Sequence, residues 1–140
     1  MDIIVLNEDN IKKYSAEKKH IVISIRTPGT SPVILPENEN RIGCLYLAFP
    51  NLERYEPALK IPEEKYFNSE YAFSILMLVE AFNPELVICQ CEAGISRSAG
   101  VAGALANIYK GDDSYFFRRY LPNMLVYKTI LNTYHGVVNE

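Results

Sequence analysis

Leu86 to Cys91, LVICQC, is an apolar run with a helix pattern on each side, and this arrangement constrains the fold more than any other feature of the chain. Upstream, SEYAFSILMLVEAF (Ser69 to Phe82) consists of good helix formers broken mainly by Glu70, Ser74 and Glu80, and Asn83-Pro84 stops it. Downstream, small residues dominate AGISRSAGVAGALANIY, predicting a helix from about Ser98 to Lys110 that ends on Gly111 as a left-handed cap. A short apolar run between two helices suits a central parallel strand.

His20 to Ile25, HIVISI, is nearly continuous in β-branched residues, as expected of a strand buried on both faces. Ile42 to Phe49 reads as another strand. The stretches after these two strands hold Pro28, Gly29, Pro32 and Pro36, then Pro50, Pro57 and Pro62, so both read as long loops. Loops beyond roughly 12 residues are usually functional or disordered, and at least one of these is expected to border a site. Asp112 or Ser114 can cap a short helix through Tyr120, and Leu121-Pro122 breaks it. Asn123 then caps a last helix in which Tyr127, Ile130, Leu131 and Tyr134 recur at helical spacing. Gly100 and Gly103, poor helix residues, suggest close packing of the helix that carries them. The element order predicts an α/β fold, a central mostly parallel sheet flanked by helices. With 140 residues and 49% hydrophobic content, residues 1–140 are expected to form a single domain.

The net charge is -3, and between Ile61 and Ser96 only Lys65 stands against six glutamates. No basic stripe suggests a nucleic-acid partner. Three cysteines do not suggest a secreted disulfide framework. The apolar patch in MDIIVLNEDN is short and has acidic flanks, unlike a signal peptide, and no apolar run nears the roughly 18 residues of a membrane span. A cytoplasmic protein in a reducing compartment, without a membrane partner, is expected.

Chemistry concentrates in CEAGISRS, Cys91 to Ser98. A tight loop between a strand end and a helix start aims backbone N–H groups at one centre, which makes an anion site with partial positive charge. That field stabilises a thiolate and so favours Cys91 as a nucleophile. Gly94 lets the loop wrap closely around an oxyanion. Arg97 offers a planar fork for two phosphoryl oxygens, and Ser98 can donate to the cysteine sulfur and help it leave.

These eight residues resemble the Cys-x5-Arg-Ser/Thr signature of the protein tyrosine phosphatases, and look most like the compact dual-specificity and microbial members. The resemblance implies that Cys91 attacks phosphorus, that Arg97 and the cradle Glu92, Ala93, Gly94, Ile95 and Ser96 hold the phosphoryl oxygens, and that a phosphocysteine forms and is hydrolysed. It implies a metal-independent reaction without cofactor on a phosphorylated protein or peptide: phosphotyrosine, with phosphoserine and phosphothreonine as further candidates. The loop's variable positions carry no lysine or further arginine, which favours a single phosphoryl group over a polyphosphorylated ligand.

Two positions depart from the family pattern. Gln90 stands where a histidine usually precedes the nucleophile, and no aspartate lies between Asp9 and Asp112 to act as general acid. Pro50 and Asn51 occupy about the place where that acid is expected, and Glu53, close by on the loop, is the candidate substitute. Without an acid, aryl phosphates with good leaving groups remain cleavable, while natural phosphoesters slow by roughly 10²- to 10⁴-fold. The alternative is a catalytically impaired phosphatase-like module that binds phosphorylated partners. A rhodanese-like sulfur transferase is a more distant possibility.

Blander readings compete for several residues. Free cysteines are commonly buried and inert, and Cys89 reads as core or as a redox partner of Cys91. A metal at Cys89 and Cys91 would need further ligands from the distant Cys44, His20 or His135, and His135 lacks the setting of a cysteine-protease base. Phe73, Phe82, Phe116 and Phe117 read as packing residues, and Arg118-Arg119 as a solvated helix face.

Overall fold

A computed structural model describes residues 1–136. Four strands, β1 (Asp2–Leu6), β2 (His20–Arg26), β3 (Arg41–Ala48) and β4 (Leu86–Gln90), form one sheet in the order β1-β4-β2-β3, and every pairing is parallel. The helices are α1 (Glu8–Ile11), α2 (Ser69–Phe82), α3 (Arg97–Lys110), α4 (Ser114–Arg119) and α5 (Met124–His135). The chain is thus α/β with a parallel sheet, as the strand-helix order predicts.

The two central strands are the two that read as continuous apolar runs. All of β4 and all of β2 except Arg26 are buried, because each has a neighbour on both edges and cover on both faces. One face carries Ile3, Val5, Ile21, Ile23, Ile25, Val87 and Cys89, packed with Ile75 and Val79 of α2, Val101 and Leu105 of α3, and Val126 and Ile130 of α5. The opposite face carries Val22, Leu86 and Ile88, covered by Ile11 of α1 and by Ala16 and Val33. The long helices therefore lie on one face, while the other is closed by a single short helix and connecting segments.

Strand β1 and helix α1 were not anticipated, because five residues at a sheet edge and a one-turn helix leave little periodicity. Register pairs Val5 with Cys89 and Leu6 with Gln90, so β1 ends level with the end of β4.

The caps predicted at Asn123 and Gly111 are present, whereas the N-cap of α4 is Asp113, not Asp112 or Ser114, and it makes no side-chain capping bond. Asn123 accepts from Val126 N–H at the start of α5, a bond of a type worth about 1 kcal/mol. Gly111 ends α3 at φ 73°. The two helical glycines differ from one another. A β-carbon on Gly100 would sit 2.8 Å from the Asn123 carbonyl oxygen, so this glycine permits α5 to approach α3. At Gly103 it would meet only ordinary contacts at 3.6 Å or more, so close packing does not account for that glycine. Among the described residues no helix is long and apolar enough to cross a membrane.

Candidate active site around Cys91

Ligand sites on parallel sheets form beyond the carboxyl ends of the strands. Here the ends of β2, β3 and β4 bring Thr27, the Phe49–Asn51 segment and Cys91 together. Cys91 immediately follows β4 and is buried, and its Sγ lies 3.0 Å from Ser98 Oγ. Ser98, in the first turn of α3, is fully buried behind the sulfur.

The loop between them is anchored through its carbonyls. Glu92 O accepts from Glu8 N–H, Ile95 O from Leu121 N–H, and Ser96 O from Asn123 N–H. In a trans peptide the N–H of the following residue points opposite to the carbonyl. No cis peptide bond is present among the described residues. The N–H groups of Ala93, Ser96 and Arg97 therefore point away from these three anchors. Gly94 is at φ 65°, and a β-carbon there would approach Asn7 N to 2.8 Å. Only glycine fits that conformation so close to the end of β1. The unanticipated β1–α1 junction is thus the wall against which the loop is folded.

Arg97 is buried, which its charge tolerates only with partners. Its Nη1 donates to Phe49 O at 2.9 Å and to Thr27 Oγ1 at 3.2 Å. Nε and Nη2 have no acceptor among the described residues. Ser96 occupies the N-cap of α3 but makes no capping bond there; its hydroxyl donates to Asn51 Oδ1 at 3.1 Å. The helix start is left open to an anion.

These groups line a cavity of about 420 Å³ formed by Asn51, Cys91, Glu92, Ala93, Ile95, Ser96, Arg97 and Leu121. Of the cradle residues named from sequence, all but Gly94 line it, and Gly94 shapes it from behind. Glu53 does not line it. Its Oε1 accepts from Met124 N–H at 2.9 Å, so this carboxylate serves the N-terminus of α5. Glu53 instead borders an adjoining cavity of about 690 Å³, which shares Asn51, Ser96 and Leu121 with the first and continues along Arg54, Glu56, Phe117 and Tyr120. Among carboxylates of the described residues, Glu92 alone borders the Cys91 cavity, and its Oε1 lies 3.4 Å from Thr27 N–H as acceptor.

Gln90 is 1% exposed on the opposite face of the sheet from Cys91. Ser24 Oγ donates to its Oε1 at 2.6 Å, while Nε2 has no partner among the described residues. Two residues before Cys91, Cys89 is fully enclosed, and burial pushes its thiol well up from the ordinary range. Cys89 is therefore a neutral core thiol. Among the described residues no three His, Cys, Asp or Glu side chains gather to hold a metal ion.

Sequence reasoning missed Thr27, the Phe49 carbonyl and Leu121. A signal for the first two lies in the parallel reading itself, since residues just past β2 and β3 must sit beside the residue just past β4. Nothing local marks Leu121.

The chain matches no known family description and no curated protein. Among solved structures it is similar to human DUSP28, at 12% identity and TM-score 0.49, with 96% of this chain and 92% of that one covered. It is also similar to a human tyrosine phosphatase-like serine/threonine/tyrosine-interacting protein, at 19% identity and TM-score 0.46, covering 84% and 76%. At such distances the chemistry of this chain has to be read from its own side chains.

Proposed function

We propose that the chain is a metal-independent phosphatase that hydrolyses phosphotyrosine, and secondarily phosphoserine or phosphothreonine, through a phosphocysteine. The observation that carries this reading is that Cys91, Arg97 and the loop residues Glu92, Ala93, Ile95 and Ser96 line one cavity, with only Nη1 of the Arg97 guanidinium engaged by the scaffold. The phosphoryl oxygens sit on the loop amides and the arginine fork, where the developing charge is stabilised without metal. Cys91 sulfur forms the S–P bond as the ester P–O bond breaks, and the departing oxygen takes up a proton. Water then attacks phosphorus, the S–P bond breaks, and Ser98 Oγ, 3.0 Å away, donates to the sulfur that leaves as thiolate. The products are inorganic phosphate and the free hydroxyl.

The adjoining cavity of about 690 Å³ supports a protein or peptide substrate, because it offers room for residues flanking the phosphorylated one. We place the activity in a single domain acting in the reducing cytoplasm. The deciding experiment is hydrolysis of a phosphotyrosyl peptide with chelator present. Turnover is expected to persist with chelator and to vanish in Cys91→Ser, which still binds orthovanadate; turnover surviving Cys91→Ser would exclude the mechanism.

A specific observation favours a second reading, a binding module for phosphorylated partners. Glu53 is held by the α5 terminus and the cavity presents the amide of Asn51 where an acid is needed. Under that reading phosphopeptides bind the unmodified protein in an Arg97-dependent way and are recovered uncleaved.

A further inference from the structure

We infer that Asn51 is a fixed hydrogen-bond donor to the leaving oxygen, and that it makes the site selective for aryl over alkyl phosphomonoesters. The inference rests on the phosphatase reading above and narrows its substrate class.

The orientation of the Asn51 amide is set from the backbone upward. Val126 N–H donates to Asn123 Oδ1 at 3.1 Å, which fixes which end of that fully buried amide is oxygen. Asn123 Nδ2 then faces the other way and donates to Leu52 O at 3.2 Å and to Asn51 at 3.0 Å. A donor at that position requires the oxygen of Asn51, and Ser96 Oγ donates to the same oxygen at 3.1 Å. With Oδ1 engaged twice, Nδ2 projects away from both donors. It has no acceptor among the described residues, and Asn51 borders the Cys91 cavity.

An amide N–H stabilises a departing anion but does not surrender its proton, so the oxygen leaves with the electron pair of the broken P–O bond and is protonated by water afterward. A tyrosyl oxygen, with a pKa of about 10, tolerates this departure. An aliphatic alkoxide is far more basic and departs far more slowly. The same residue that stands in for an acid therefore selects phenolic esters.

The test is release of the leaving group from aryl phosphates of graded basicity and from phosphoserine and phosphotyrosine peptides, across pH, with the unmodified protein, Asn51→Ala and Asn51→Asp. The unmodified protein should slow steeply as leaving-group basicity rises and cleave the phosphotyrosine peptide in preference. Asn51→Ala should lose about tenfold on aryl phosphates while binding orthovanadate as before. Asn51→Asp keeps the oxygen that Ser96 and Asn123 bond, and should flatten the dependence on leaving group and add a fall in rate on the alkaline side as the new acid ionises. Equal cleavage of both peptides, or an Asn51→Ala rate equal to that of the unmodified protein, would overturn the assignment while Cys91-dependent turnover leaves the phosphatase reading standing. Turnover that survives Cys91→Ser would bring down both.

Discussion

The loop from Cys91 to Arg97 commits its carbonyls to the N–H groups of Glu8, Leu121 and Asn123, whereas the segment from Asn51 to Glu53 commits its side-chain acceptors to Ser96, Asn123 and Met124. The loop and Asn51, the one residue of that segment to line the Cys91 cavity, thus form two walls that differ in what they leave for a ligand. The first keeps N–H groups and a guanidinium edge free, which suits recognition of an oxyanion. The second commits its oxygens to the scaffold and presents an amide nitrogen, which suits donation without proton transfer. Under the proposed function, phosphoryl recognition and leaving-group chemistry belong to different strand ends and can be perturbed separately.

The largest effect is expected on the first wall. Arg97→Lys replaces a fork held by Phe49 O and Thr27 Oγ1 with a point charge, and should lower kcat/KM by about 10²-fold or more and weaken orthovanadate binding together. Steady-state kinetics and a binding titration check both, and near-normal values would deny that the fork faces the ligand. Ser98→Ala should act later in the cycle. Removal of the hydroxyl beside Cys91 should slow phosphocysteine hydrolysis about tenfold while sparing the first release of phenol, so that a burst becomes visible in rapid-mix kinetics. Slowing of the first step instead would place Ser98 in attack rather than departure. The smallest effect belongs to Glu53, which borders the adjoining cavity. Glu53→Gln should leave the pH-rate profile and the leaving-group dependence unchanged and slightly lower the melting temperature, because the carboxylate caps α5. A lost alkaline limb in that variant would restore Glu53 as the acid.

Much of this comparison was legible in the sequence, and unequally so. The Cys91 loop is contiguous, and its chemistry follows from residue types at fixed spacing after a strand and before a helix. The central strands were equally plain, because burial on both faces demands unbroken apolar runs. Strand β1 was not, since a five-residue edge strand has no such demand on it, yet its end is the wall that makes Gly94 necessary. The role of Glu53 was out of reach for a different reason. Its partner, Met124 N–H, is 71 residues away, and whether a loop carboxylate faces a cavity or a helix terminus depends on packing between α3 and α5 that no local pattern encodes. The same holds for Asn51, whose place was marked but whose orientation depends on a cap at the start of α5.

The central claim is that Cys91 forms a covalent bond to phosphorus. Rapid acid quench of the protein mixed with a phosphotyrosyl peptide, followed by mass spectrometry of the fragment that holds Cys91, measures this directly. The account predicts one added phosphoryl group on Cys91 that is enriched in Ser98→Ala and absent in Cys91→Ser. Peptide turnover with no phosphorylated Cys91 in either the unmodified protein or Ser98→Ala would contradict it.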